Sequence, residues 1–214
     1  MEDERVDPSS NYNEAIRFAA NKGYTEVIRL LLADKRVDPS DIDNYAIRIA
    51  ARKDYTEVVR LLLEDKRVDP SANDNHAIRY AASNDHVEVV RLLLEDERVD
   101  PSANNNYAIR WAASNGYTEV VRLLLGDERV DPSANNNEAI RFVAYHGHTE
   151  VVRLLLEDER VNPSANNNEA IRDATSKGHI EIVRLLVEDG RVNSNYNIEA
   201  VRRAAYKGYG GKKY

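Results

Sequence analysis

Residues 106–125 read Asn-Tyr-Ala-Ile-Arg-Trp-Ala-Ala-Ser-Asn-Gly-Tyr-Thr-Glu-Val-Val-Arg-Leu-Leu-Leu, and this stretch decides the fold. Residues 107–113 favour a helix, and Asn106 before them is a residue type that can cap free backbone N–H groups. Gly116 tolerates the left-handed conformation that ends a helix. In the next run, Glu119 lies near the positive end of a new helix dipole. The stretch therefore predicts a short helix that starts at Asn106, a turn and a second helix.

The apolar residues of the two predicted helices indicate how they pack. The second helix carries an apolar stripe that is too wide for one neighbour, so we expect it to lie between adjacent units. The first helix is lined by alanines around one large core residue, Ile109, and small side chains let two helices approach closely. No unit of two short helices buries its leucines alone, so several units must stack.

The same unit recurs along the whole chain. The string Arg-Val-Asp-Pro-Ser or its variant Arg-Val-Asn begins every 31 residues, at positions 5, 36, 67, 98, 129, 160 and 191. A fixed period of about 20 to 50 residues is typical of stacked repeat proteins. We therefore predict one all-α repeat domain over residues 1–214, with six full helix pairs and short loops. A seventh first helix, near residues 199–206, is expected to form a polar end cap.

Composition excludes several classes of protein. The chain has 214 residues, no cysteine and a formal net charge of −7. Disulfides and thiol nucleophiles are therefore absent, and the short apolar runs cannot form a transmembrane helix of about 20 residues. The acidic balance argues against nucleic acid or a membrane as partner. A charged start without an apolar segment favours an intracellular location, cytoplasmic or nuclear.

The polar residues do not form a catalytic or cofactor site. A catalytic group occurs once, whereas nearly every polar residue here recurs with the period of the repeat. Zinc needs about four convergent ligands, and tyrosine replaces the repeated histidine of His148 at positions 24, 55 and 117. We therefore predict that the chain is not an enzyme and binds neither a metal nor a cofactor.

Two arginine ladders and one asparagine ladder have structural interpretations. The first arginine ladder, on the first helices, is predicted to bond carbonyls or carboxylates of the neighbouring unit. The second, on the second helices, is predicted to pair with glutamates three residues earlier rather than with phosphates. The asparagines at 13, 44, 75, 106, 137 and 168 are interpreted as caps or as loop ladders.

The repeat resembles a known family. Residues 139–144, Ala-Ile-Arg-Phe-Val-Ala, and residues 147–156, Gly-His-Thr-Glu-Val-Val-Arg-Leu-Leu-Leu, are similar to the two helices of an ankyrin repeat. The second-helix half is the specific one, since the first half lacks the family's Thr-Pro-Leu-His. The unit is also shorter than the usual length of about 33 residues, so we expect blunted loops in place of projecting hairpins. The Asp-Pro-Ser and Asn-Asn-Asn strings are similar to ankyrin arrays of large DNA viruses of protists.

The positions that vary between repeats indicate where a partner binds. Two such columns lie four residues apart on the first helices, and residues at this spacing share a helix face. The resemblance implies that these helices line the concave wall of the array. Large aromatic residues with few lysines are typical of protein interfaces. The predicted partner-binding residues are Tyr45, Ile49, His76, Tyr80, Tyr107, Trp111, Glu138 and Phe142.

Several alternatives remain open from the sequence. The first column is expected to be exposed, whereas the second could serve packing instead of binding. The surface is expected to take an apolar or basic peptide, and an acidic rim is expected to favour lysine or arginine on the partner. The rim residues are Glu14, Glu138, Glu169 and Asp173. The predicted function is a monomeric, non-enzymatic scaffold or adaptor. The alternative is a passive spacer or a self-assembling element, which makes contact through its ends.

Overall fold

The computed structural model describes residues 7–192, and within this range the chain forms twelve helices and no strand. Their bounds are α1 Ser10–Lys22, α2 Thr25–Ala33, α3 Asp41–Arg52, α4 Thr56–Glu64, α5 Ala72–Ser83, α6 Val87–Leu94, α7 Ala103–Asn115, α8 Thr118–Leu125, α9 Ala134–His146, α10 Thr149–Glu157, α11 Ala165–Lys177 and α12 Ile180–Asp189. The six predicted helix pairs are thus confirmed. The predicted end cap near residues 199–206 lies outside the described residues.

The helices belong to two compact units, Met1–Ala103 and Asn104–Tyr214. In the first unit, α1, α3 and α5 form one layer and α2, α4 and α6 form a second layer against it. In the second unit, α9 packs on α11, and α8, α10 and α12 form the other layer. The predicted two-sided packing of the second helices is confirmed by α4, which packs between α2 and α6 and whose Val58, Val59 and Leu62 are buried.

A left-handed turn opens every odd-numbered helix. Three consecutive residues have φ between 52° and 59°, at positions 11–13, 42–44, 73–75, 104–106, 135–137 and 166–168. Asparagine and aspartate tolerate this conformation better than other residues with a Cβ, which explains the recurrent Asn-Asn-Asn. Tyr12 and Ile42 depart from that preference, and the β-branched Ile42 carries the larger steric cost. The turn takes the place of a hairpin, which confirms the expected blunt loops.

The first arginine ladder stabilises these turns. Arg79 Nε donates to the carbonyl of Asp74 at 2.7 Å, and Arg110 Nε donates to that of Asn105 at 2.8 Å. The arginines therefore bond carbonyls of their own repeat, because the left-handed turn leaves those oxygens without helical donors. The predicted bond to a carboxylate of the neighbouring repeat is also present, since Arg110 Nη1 donates to Glu138 at 2.6 Å.

The last asparagine of each turn joins one repeat to the next. Asn75 is 8% exposed, and its Oδ1 accepts the backbone N–H of Asp100 at 2.7 Å. The same bond links Asn106 to Asp131 at 2.7 Å and recurs along the chain. The loop-ladder interpretation is thus confirmed. The capping role of Asn106 is wrong, because its side chain satisfies the next repeat and its own backbone is left-handed.

The repeated Arg-Val-Asp string contains a second bridge between repeats. The Arg98 side chain makes two hydrogen bonds to Asp96, and its Nη1 donates to the carbonyl of Val68 in the preceding repeat at 2.7 Å. Its Nη2 also donates to the carbonyl of Leu63 at 3.1 Å. These bonds from Arg98 hold the pKa of Asp96 below its usual value. In the sequence, this arginine only shows the period of the repeat. In the structure, it links adjacent repeats by donating to backbone carbonyls.

The turn between the helices of a pair makes a third bridge. Gly116 ends α7 with φ at 78°, which confirms the predicted left-handed position. The ring of His148 from the next repeat covers it, and His148 Nε2 donates to the carbonyl of Ser114 at 3.1 Å. A Cβ built on Gly116 would stand 2.5 Å from His148 Nδ1, so a larger residue here requires this ring to shift. At the equivalent position Asp54 lies beside His86, with 3.9 Å between Oδ1 and Nδ1.

We expect Asn75→Ala to lower the free energy of unfolding by about 2–4 kcal/mol. The substitution leaves the N–H of Asp100 without its acceptor and places alanine in a left-handed backbone. Asn75→Gly keeps that backbone at no steric cost, so it should lose about 1 kcal/mol less. Urea unfolding of both variants measures the difference. A loss below about 0.5 kcal/mol for Asn75→Ala would contradict the bridging role.

We expect Gly116→Ala to cost about 2–4 kcal/mol, the sum of the left-handed backbone and the overlap with His148. In a His148→Ala background the overlap is gone, so the same substitution should cost only about 1–2 kcal/mol. Thermal or urea unfolding of the four chains gives this cycle. Equal costs in both backgrounds would show that the ring does not press on Gly116.

Candidate functional site

The predicted partner-binding residues lie on four first helices, in two units. Tyr45 and Ile49 belong to α3 and His76 and Tyr80 to α5, all in the first unit. The remaining four, Tyr107, Trp111, Glu138 and Phe142, belong to α7 and α9 of the second unit. We call the surface made by these two columns on the first helices of a unit its first-helix wall.

The exposure of the two columns differs from expectation. The first column is half-buried at Tyr45, His76, Tyr107 and Glu138. The second column includes exposed side chains, with Trp111 49% and Phe142 39% accessible, whereas Ile49 and Tyr80 are half-buried. The expected exposure of the first column is therefore wrong at these four positions, whereas Glu14 is exposed as expected. Its members follow directly on the buried asparagine, which turns them toward the preceding repeat.

Aromatic rings stack along each first helix where both columns are aromatic. The rings of Tyr107 and Trp111 lie 5.5 Å apart and 8° from parallel. Those of His76 and Tyr80 lie 3.9 Å apart at 15°. This stacking confirms that residues four apart share the face, and it fixes flat, partly accessible apolar surfaces at low conformational cost.

The expected acidic rim is largely neutralised in the second unit. Arg110 Nη1 contacts Glu138 at 2.6 Å, and Arg141 Nη1 contacts Glu169 at 2.7 Å. These glutamates also accept from the amides of Asn135 and Asn166. Because each carboxylate is satisfied by its neighbours, Glu138 and Glu169 do not form the attractive rim that the sequence indicated.

The first unit carries different charges on its wall. At the positions equivalent to Glu138 and Glu169, α3 and α5 have Tyr45 and His76, whereas α1 has the exposed Glu14. Burial, and then the charges of Arg48, Arg79 and Arg52, lower the pKa of His76 from 6.5 to about 4. His76 Nδ1 is buried without a hydrogen-bond partner. Arg48 and Arg52 are wall residues that the repeat pattern alone does not single out, although the replacement of glutamate by an aromatic residue is visible in the sequence.

The second-helix arginines and the repeated histidines make structural contacts. Second-helix arginines lie 3.3–3.7 Å from glutamates three residues earlier, as predicted. His86, His148 and His179 each bond a carbonyl of the preceding repeat. Between residues 7 and 192, no group of three or more potential metal ligands occurs. None of the helices in that range is both long and apolar enough to span a membrane.

Paired helices repeated at a constant period define the chain as a helical repeat protein, and comparisons with known proteins specify its family. The family model of ankyrin repeats matches three times, over residues 3–74, 68–136 and 109–199. The chain belongs to the ankyrin repeat family. A search of curated protein sequences found no significant match.

Solved structures agree with this assignment. The crystal structure of EF0377, an ankyrin repeat protein, is 25% identical, covers 84% of this chain and 98% of its own length, and gives a TM-score of 0.71. The ankyrin repeat domain of Bcl-3, a member of the IkappaB protein family, is 20% identical over 88% of this chain and 97% of its own, with a TM-score of 0.72. An ankyrin repeat domain from Acinetobacter baumannii AYE is 23% identical over 82% and 97%, with a TM-score of 0.69.

The family assignment has a general functional meaning. Ankyrin repeats are a protein–protein interaction module, and members are typically non-enzymatic interaction domains. The residues of the first-helix wall vary between the repeats of this chain, whereas the bonds between repeats use residues that recur.

The His76 site predicts a pH dependence of stability. Because the pKa of His76 is lowered, the unfolded chain binds a proton between pH 6.5 and about 4 that the native chain does not, so stability falls as the pH falls through this window. His76→Tyr, which places there the residue found at 45 and 107, should lose less stability on acidification. Urea unfolding at several pH values checks this, with His146→Asn as control. Parallel pH profiles for wild type and His76→Tyr would contradict it.

Proposed function

We propose that the protein is a non-enzymatic scaffold or adaptor that binds a segment of a partner protein on a first-helix wall. The observation that carries this proposal is the contrast between recurring and varying residues. Residues that bridge repeats, such as Asn106 and Arg98, return in nearly every unit. The wall instead changes from repeat to repeat and includes Trp111, half exposed on a stacked tyrosine.

The surface chemistry supports an apolar contribution from the partner. Trp111 and Phe142 leave large rings accessible in the second unit, and a rigid aromatic surface supplies contact area at low entropic cost. The basic partner expected from the acidic rim is not kept in the proposal, because Glu138 and Glu169 already have arginine partners.

A selection from a library of random peptides displayed on phage, performed on the full chain, tests the proposal. Selected peptides are then synthesised and titrated against Tyr107→Ala/Trp111→Ala and against Tyr80→Ala, which address the walls of the two units separately. At least one wall variant should weaken binding by about tenfold or more, as expected for an aromatic hot spot.

A matched control uses an exposed aromatic residue away from the wall. Tyr12 is 74% accessible in the left-handed turn of α1, and Tyr12→Asn introduces the residue found at the equivalent positions 105, 136 and 167. It should leave affinity within about twofold of wild type. Peptides whose affinity survives all wall variants would contradict the proposed surface.

A second candidate, self-assembly, has one observation in its favour. Val27 and Leu30 on α2 are 43% and 73% exposed, whereas their counterparts Val58 and Leu61 in the next repeat are 1% and 9% exposed. A second copy could cover this apolar face. Concentration-dependent association in sedimentation velocity that Leu30→Glu abolishes, together with no peptide bound on a wall, would favour this candidate over the scaffold.

A further inference from the structure

A single change of residue type turns a neutral first-helix surface into a positively charged one. In the second unit, Arg110 and Arg141 each meet a glutamate 28 residues later, at 2.6 and 2.7 Å. In the first unit, the residue 28 positions after Arg48 is His76, which cannot neutralise a guanidinium. Among residues 7–192, Arg48 forms no ion pair, and its Nε and Nη2 donate to the carbonyls of Asp43 and Ile42.

A second cation on the same wall has no counterpart in other repeats. Arg52 ends α3, is exposed and places its guanidinium carbon 6.0 Å from the ring centre of Tyr80 on α5. The equivalent positions hold Ser83, Ser114 and Tyr145. No carboxylate of the described residues pairs with Arg52. The patch therefore combines two cations with partly accessible aromatic rings.

The lowered pKa of His76 reflects its burial and the positive charges around it. The charges that depress its pKa all belong to arginines, Arg48, Arg79 and Arg52, and no carboxylate opposes them. Because His76 stays neutral at pH 7, it adds no further positive charge, and its ring stacks on Tyr80. A carboxylate brought to this surface would lower the energy of Arg48 and Arg52, which no carboxylate of the described residues pairs with.

We propose that the wall formed by Tyr45, Arg48, Arg52, His76 and Tyr80 binds an acidic peptide segment, in which a carboxylate stands beside an apolar or aromatic side chain. The proposal rests on the scaffold function proposed above and names the chemistry of the partner. Carboxylates match the planar fork of arginine, and the neighbouring apolar side chain matches the exposed ring edges.

The surroundings favour a short acidic peptide over a nucleic acid. Asp43 and Asp74 are exposed in the left-handed turns that open the same two helices, and the whole chain has a net charge of −7. A long polyanion would meet these charges, whereas a segment with one or two carboxylates avoids them. The second-helix arginines Arg60 and Arg91 offer no extension of the patch, since they pair with their own glutamates.

The test uses the peptides selected on the full chain from the random library. Those that depend on Tyr80 should be enriched in aspartate and glutamate next to an aromatic or apolar residue. The most enriched peptide, its glutamine isostere and an oligothymidine are then titrated by fluorescence anisotropy. The isostere should bind about tenfold more weakly or worse, and added salt should weaken the acidic peptide.

Four variants of the full chain locate the carboxylate. Arg48→Gln/Arg52→Gln should raise Kd about tenfold, while Arg60→Gln/Arg91→Gln, with the same change of net charge, should change it less than about twofold. His76→Glu recreates the pair seen between Arg110 and Glu138, so it should occupy Arg48 and remove binding of the acidic peptide without loss of fold. His76→Tyr keeps an aromatic residue and should retain binding.

The outcomes separate this inference from the scaffold function. Peptides that depend on Tyr80 but show no acidic enrichment, or that bind His76→Glu as well as wild type, would overturn the acidic-segment inference and leave the scaffold intact. Peptides bound nowhere on a first-helix wall would overturn both. Oligothymidine binding that is as tight as that of the acidic peptide and is lost in Arg48→Gln/Arg52→Gln would show a nucleic-acid surface and contradict the proposal.

Discussion

One hydrogen bond constrains the rest of this structure, the bond from a loop amide to the buried asparagine of the preceding repeat. Asn106 reaches the N–H of Asp131 only because its backbone, like that of the two residues before it, is left-handed. That turn leaves carbonyls pointing away from the helix ladder, and Arg110 satisfies the carbonyl of Asn105. Buried polar groups must be paired, so asparagine, arginine and the loop recur together as one device.

This device also explains why the first-helix wall is free to vary. The bridges between repeats are made to backbone groups by asparagine, by the arginine of the Arg-Val-Asp string and by the ring over the glycine turn, and none of them needs the wall columns. A column residue can therefore change from Glu138, which neutralises Arg110, to His76, which leaves Arg48 unpaired, without altering the backbone. The same fold thus presents an aromatic, charge-neutral wall in one unit and an aromatic, cationic wall in the other.

Much of the fold could be predicted from sequence because it depends on local and periodic signals. Helix pairs, glycine turns such as Gly116, and the glutamate–arginine pairs of the second helices follow from residues a few positions apart. The left-handed conformation of residues 104–106 could not be predicted in this way. The hydrogen bond that it makes possible joins Asn106 to Asp131, which lies 25 residues further along the chain. The exposure of Trp111 and the neutralisation of Glu138 also depend on neighbours 28 or more residues away, which a helix pattern does not reveal.

Amide hydrogen exchange tests the central claim most directly. The aspartates and the asparagine that follow the Arg-Val string lie in loops, and Asp69, Asp100, Asp131 and Asn162 are exposed as whole residues. If their N–H groups are bound by buried asparagines of the preceding repeat, these four amides should exchange as slowly as the helical core of the same repeats. Exchange at the rate of free loop amides would contradict the account, because the repeats would then be held together without the bond on which the left-handed turn depends.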